Sequence, residues 1–212
     1  MQKKTLGRAL AALLPLLIVA GLWALPLNAA DHEEAPGAQA DLPADIADLY
    51  HWHTEAGTGV TVLTFGGIAN ANAPVYDSGV LYTIHIDTDG DNESDQQVHV
   101  RFGQDGDGNW GVQATLASAL GSITMSGNTG DVIVDTLTGT QLWTGIADDP
   151  FFFDLAGFGA TIANITDPSD PADIAFTATD ALAGANTTAI VIEGPSTATN
   201  YQVWATTGRD NG

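Results

Sequence analysis

No cysteine occurs anywhere in the 212 residues. That absence excludes disulfides, thiolate metal sites, cysteine nucleophiles and a lipid anchor attached through cysteine. Basic residues are nearly as scarce: five Lys and Arg stand against 26 Asp and Glu, for a formal charge of −21. Phosphate recognition rests on Lys and Arg, so nucleic acid and anionic lipid are excluded as partners. Several catalytic signatures are missing too. The chain has no Gly-x-Ser-x-Gly elbow, no Gly-Lys-Ser/Thr phosphate loop and no His-Glu-x-x-His. Carboxylate pairs for glycoside hydrolysis are plentiful, yet nothing singles out two of them.

Three of the five basic residues, Lys3, Lys4 and Arg8, precede an apolar run over residues 10–25, which is followed by Asn28-Ala29-Ala30. A basic start, an apolar middle and a small-residue exit form the layout of a secretory signal peptide over residues 1–30. Pro15 and Pro26 interrupt the run, which is shorter than the roughly 20 residues of a membrane span. Cleavage after Ala29 or Ala30 predicts a secreted or periplasmic chain of residues 31–212 that makes no membrane contact. Arg101 and Arg209 then face all 26 acids, a formal charge of −24.

The remaining chain is rich in Gly, Ala, Thr and Val, a composition suited to many short strands joined by turns. Val60-Thr61-Val62-Leu63-Thr64-Phe65 alternates cleanly. Before it, Ile46, Tyr50 and Trp52 are expected to share one strand face, with His51 and His53 on the other. Gly79-Val80-Leu81-Tyr82-Thr83-Ile84-His85-Ile86 and Gln97-Val98-His99-Val100-Arg101-Phe102 form a second expected hairpin. Placing their apolar residues on one face pairs Ile86 with Val98, Ile84 with Val100 and Tyr82 with Phe102. The same register sets His85 opposite His99 and Thr83 opposite Arg101.

Residues 110–125 read equally as strand or as a short helix around residues 116–120. Val132-Ile133-Val134 reads as a strand, and Asp149-Pro150 as the start of a short helical turn. Phe151, Phe152 and Phe153 are expected as core residues. Strands are expected again across residues 174–206. The fold class predicted is all-β: one antiparallel β-sandwich domain over residues 31–212, with short strands, long loops and at most one or two short helical turns.

The second hairpin carries the chain's most distinctive stretch, Asp87-Thr88-Asp89-Gly90-Asp91-Asn92-Glu93-Ser94-Asp95, with five carboxylates among nine residues. Unneutralised, such carboxylates repel one another, and a hard cation removes that repulsion. Asp87, Asp89, Asp91 and Asp95 are therefore the candidate ligands for calcium. The spacing begins like an EF-hand loop and then departs, with Asn92 in the sixth place and Val98 in the twelfth. The plain alternative is a solvated acidic turn. A shorter cluster, Asp105-Gly106-Asp107-Gly108-Asn109, suits an ordinary turn. Histidines offer a second chemistry: if strands bring His51, His53, His85 and His99 together, they would hold zinc or copper. The alternative is a polar sheet face.

Six motifs taken in order carry a family resemblance. They are Asp31-His32-Glu33-Glu34-Ala35-Pro36, Asp45-Ile46-Ala47-Asp48-Leu49-Tyr50, and Leu81-Tyr82-Thr83-Ile84-His85-Ile86-Asp87 with its acidic loop. Asp148-Asp149-Pro150-Phe151-Phe152-Phe153-Asp154, Ala185-Asn186 before Ile190-Val191-Ile192, and Val203-Trp204-Ala205-Thr206-Thr207 complete the series. The chain resembles the bacterial secreted family called domain of unknown function 4331, over essentially all of residues 31–212. The resemblance implies export and a single domain. It carries no activity and no functional residues, and this chain is shorter than many relatives between Phe102 and Gly139.

Composition, missing motifs and the acidic loop together lead to the expectation of a secreted, non-catalytic, calcium-stabilised β-sandwich. A surface or extracellular polymer is its expected partner. The alternative is an extracellular enzyme or redox protein using a histidine-bound transition metal. Expression of the intact chain should yield a protein beginning at Ala30 or Asp31. An uncut, membrane-bound chain in mass spectrometry would overturn both the export reading and the charge of −24.

Overall fold

The computed structural model describes residues 40–67, 73–118, 121–166, 174–195 and 202–210. The expected signal peptide and His32 lie outside the described residues. Alternating apolar residues build ten strands: β1 (Ile46–His53), β2 (Thr58–Phe65), β3 (Val80–Asp87), β4 (Gln96–Gln104), β5 (Trp110–Ser118), β6 (Gly121–Asn128), β7 (Ile133–Val134), β8 (Gln141–Asp148), β9 (Asn186–Pro195) and β10 (Gln202–Arg209). They form two antiparallel sheets of five strands, ordered β1-β2-β9-β8-β7 and β10-β3-β4-β5-β6. The all-β sandwich expected from the sequence is the fold observed. The described residues of 110–125 fall on the strand side, because β5 and β6 pair along their length.

One face of each sheet turns inward. Leu63, Phe65, Leu142 and Ile190 from the first sheet meet Tyr82, Ile84, Val100 and Phe102 from the second, all of them buried. Tyr82 lies at the centre, its ring 4.5 Å from Phe65 and edge-on to Phe102 at 5.8 Å. Its hydroxyl donates to the Pro43 carbonyl, so the buried polar tip is satisfied. Burial pushes the Tyr82 phenol pKa up. Each large apolar side chain fully buried this way contributes about 1.5–3 kcal/mol. In β8, Gly145 leaves room for the neighbouring Trp143 ring, which a Cβ there would meet at 2.5 Å.

Two registers differ from the sequence expectation. In the second hairpin the partners are Tyr82–Val100, Ile84–Val98, His85–Gln97 and Ile86–Gln96, two residues away from the pairing expected. A two-residue slide keeps every side chain on its own face, so hydrophobic patterning cannot tell the two apart. The loop decides. The Asp95 amide donates to the Ile86 carbonyl at 3.0 Å, closing the neck early and drawing β4 along. His99 therefore stands opposite Thr83, not His85.

In β1 the ladder shifts between Ile46, which faces Phe65, and Leu49, which faces Leu63. One extra residue there is a β-bulge, and it reverses the faces beyond it. Leu49 packs on the core and His51 turns inward onto Thr61, while Trp52 is 47% exposed. The expected grouping of Ile46 with Tyr50 and Trp52 fails for that reason. Buried Thr64 supports the bulge, its hydroxyl accepting from the Asp48 amide at 3.0 Å.

Arg209 closes the sandwich edge at the end of β10. Its guanidinium donates from Nε and Nη2 to both Asp41 oxygens and from Nη1 to Asp77. These charge-assisted bonds raise the Arg209 pKa and hold Asp77 below the usual carboxylate range, where the Gly79 amide is the larger cause.

Residues 150–183 form a separate compact unit. Its helix α1 (Leu155–Thr166) starts later and runs longer than the turn expected at Pro150. The helix start is set by Asp154, whose Oδ1 accepts from the Gly157 amide at 2.7 Å as an N-cap. The same carboxylate accepts from the Thr177 hydroxyl and amide and from the Ala178 amide. These donors, led by the Thr177 hydroxyl, lower its pKa to about 2. Residues 174–180 are irregular, not the strand expected, because that segment is fastened to Asp154. Phe152 is 58% exposed, whereas Phe151 and Phe153 are partly buried and stack at 6.3 Å. Among the described residues, no helix is long and apolar enough to cross a membrane.

Cysteines at 85 and 97 should crosslink on oxidation, because directly opposed Cβ atoms lie within about 5.5 Å. Cysteines at 85 and 99, now diagonal, should link far more slowly. Gel analysis under non-reducing conditions checks this, and preferential 85–99 linkage would restore the register expected from patterning.

Candidate metal centre

The acidic loop joins β3 to β4, and its conformation follows from carboxylates bonding to nearby amides. Asp87 ends β3 with its side chain folded back inside the loop. Its Oδ1 accepts from the Asp89 amide at 3.0 Å and the Gly90 amide at 2.6 Å, and its Oδ2 from the Asn92 amide at 2.8 Å. Solvent reaches none of Asp87. The cover is the loop's own backbone, while Asp89, Gly90, Asp91 and Asn92 around it are exposed. These donors, the Gly90 amide foremost, hold the Asp87 carboxyl below the usual range.

Gly90 (φ +85°) and Asn92 (φ +69°) provide the two left-handed residues that the wrap requires. Asn tolerates this region better than other non-glycine residues. Asn92 thus does in this loop what Gly does in the sixth place of an EF-hand, and the departure noted in the sequence is not one of backbone shape. At the far side, Asp95 Oδ2 accepts from the Thr88 amide at 2.8 Å and hydroxyl at 2.5 Å. The Thr88 hydroxyl is the main cause of the lowered Asp95 pKa.

The result is a triad. Asp87, Asp89 and Asp95 each present an oxygen, and these oxygens lie within 4.8 Å of one another. Asp91, the fourth ligand expected, falls outside the triad. It sits between the two left-handed residues, and its Oδ1 accepts from the Glu93 amide at 2.8 Å. Three convergent carboxylate oxygens suit a hard divalent cation, with water and carbonyl oxygens completing the shell. The Asp105 turn is different. Asp105 takes the Asp107 and Asn109 amides and the Asn109 side chain on its two oxygens, and the turn closes on itself.

The four histidines expected for a transition metal do not converge. His51, on the inward face of β1, bonds through Nδ1 to Thr61 Oγ1 at 2.9 Å, and its ring meets His53 edge-on at 5.4 Å. Burial, then the charge of His53, lowers the His51 pKa. His85 and His99 lie on the outward face of the other sheet. There His85 stacks on Trp204 at 5.1 Å and bonds to Thr206, while His99 bonds to Thr83. Among the described residues, the Asp87 triad is the one group of three or more His, Asp or Glu with metal-holding geometry. The bulge in β1 and the outward alternation of β3 and β4 are what separate the histidine pairs.

Sequence reading missed Thr88 and the backbone role of Asn92. Both were detectable: Asp-x-Asp-Gly followed by Asn marks successive turns in which side-chain oxygens cap amides. Fold and site together define an antiparallel β-sandwich with a convergent acidic loop on one hairpin. Comparison with protein-family models, with curated proteins and with solved structures finds no match.

Asp87 organises the loop with or without a cation, whereas Asp89 adds charge. In chelator, Asp87→Ala should lower the melting temperature, and Asp89→Ala should leave it unchanged or raise it. A depressed carboxyl pKa means that the Asp87 contribution is present above about pH 4 and lost as the pH falls. The difference between wild type and Asp87→Ala should therefore shrink on acidification in thermal melts. A difference that grows toward acid pH would refute this role.

Proposed function

We propose that the protein is a secreted, non-catalytic β-sandwich stabilised by calcium, belonging with the family called domain of unknown function 4331 and acting at an extracellular surface or polymer. The observation that carries the calcium reading is the convergence of Asp87, Asp89 and Asp95 within 4.8 Å. Calcium is favoured over magnesium because the loop offers flexible carboxylates and no rigid octahedron. A transition metal is disfavoured because the triad contains no imidazole. The apolar run of residues 10–25 supports export. A formal charge of −24 suits an extracellular setting where divalent cations screen the surface.

A cation held by the triad would join the start of the loop at Asp87 to its end at Asp95, next to the neck where Ile86 pairs with Gln96. Cation binding there tightens the β3–β4 hairpin at the middle of its sheet. The role is structural, and the loop presents its exposed side to a partner.

Free calcium at ten times its dissociation constant should stabilise the fold by about 1.4 kcal/mol. Extracellular sites commonly bind at about 0.1–1 mM, so millimolar calcium should raise the melting temperature by several degrees. Asp89→Ala should abolish that rise, while Asp91→Ala should keep most of it. Magnesium should substitute poorly. Identical wild-type melts in chelator and in millimolar calcium, at constant ionic strength, would rule the cation out.

A further inference from the structure

At the end of the sandwich where β3 passes into the acidic loop, the two sheets part around a cleft of about 390 Å³. Its origin lies in small residues at paired positions. Gly59 stands opposite Gly194 in the first sheet, on the inward face that Leu63, Ile190 and Ile192 occupy further along these strands, and both glycines line the cleft. Side chains that elsewhere fill the roughly 10 Å between packed sheets are missing there. The walls are aliphatic: Ile86, Leu116 and Ile123 from one sheet and Ile192 from the other, over a floor of Ile84 and Val98. Hydrogen-bonding groups also line it: His51, Thr61, Gln96 and Thr140.

The charge of this lining sets it apart from the rest of the chain. With 26 acids in the sequence, the cleft is lined by no Asp, Glu, Lys or Arg among the described residues. His51 is the one titratable group among the described lining residues, and burial lowers its pKa. A charged molecule entering would lose hydration and gain no counter-charge. The volume falls within the roughly 300–1,000 Å³ of small-molecule sites, and apolar walls with a few convergent polar groups are the usual composition of such sites.

We propose that this cleft binds an uncharged, mainly apolar small molecule whose single hydrogen-bonding group meets the polar residues led by His51 and Gln96. The apolar body lies against the isoleucines. The proposal is independent of the cation loop, although Ile86 and Gln96 belong both to the cleft and to the neck of that loop.

Two fluorescent probes sharing one aromatic skeleton test this. Neutral phenylnaphthylamine should bind the mature chain saturably, one molecule per chain, and be displaced by decanol. Anilinonaphthalenesulfonate, which adds a negative charge, should bind roughly tenfold more weakly or worse. Ile123→Trp enlarges an inward wall residue into the cleft and should abolish the response of the neutral probe. Should Ile123→Trp fail to fold, Leu116→Trp on the facing wall position of the neighbouring strand decides the matter. Phe176→Ser removes the most exposed aromatic of the separate unit, where Phe176 is 82% exposed, and should change nothing. Binding that survives a folded cleft-filling variant, disappears with Phe176→Ser, or is equal for both probes would overturn the proposal. Titrations with calcium and with chelator keep its outcome separate from that of the calcium reading.

Discussion

Two sheets can be stable here only if each buries one complete face of alternating side chains against the other. Tyr82 is where that requirement converges. Its ring packs on Phe65 across the interface and on Phe102 in the adjacent strand, and its hydroxyl ties the turn at Pro43 to the core. A chain with almost no basic residues cannot hold its surface together by many ion pairs, so the burden falls on this apolar interface. Arg209 is the exception: one guanidinium joins Asp41, Asp77 and the end of β10. It is a third exposed, and pairs of that kind contribute little unless the geometry is bidentate, as it is at Asp41.

The acidic loop is organised by backbone amides before any cation is considered. Asp87 takes three of them, Asp95 takes one and a hydroxyl, and Asp89 and Asp91 each take one. The donors on Asp87 and Asp95 hold these two carboxyls below the usual range, so the loop keeps their negative charge instead of relieving it by protonation. That is the physical case for a cation. The same use of Asp recurs in the Asp105 turn and at Asp154, where a carboxylate satisfies local donors and belongs to no metal-holding group of three among the described residues. An acid-rich composition is thus put to two ends here, fastening backbone and gathering charge, and only the β3–β4 loop does both.

Much of this was legible in the residues. Alternation in Val60-Thr61-Val62-Leu63-Thr64-Phe65, and in the strands around Tyr82 and Val100, determined two hairpins, the sandwich class and the inward faces. The local density of Asp determined where a cation loop would lie, because the carboxylates and the glycine that bends the chain are sequence neighbours. Tertiary structure decided the rest. It chose between two registers of equal patterning through the early closure of the loop at Ile86, and so took His85 away from His99. It inserted a bulge after Ile46 that no periodicity signals, turning His51 inward and Trp52 out. It excluded Asp91 from the triad because the side-chain direction depends on two left-handed residues flanking it. It also opened a neutral cleft between the sheets, since the small residues responsible are far apart in the chain and meet only when strands pair. Patterning carries which face a residue occupies; what that residue meets depends on contacts between distant segments, which no local stretch encodes.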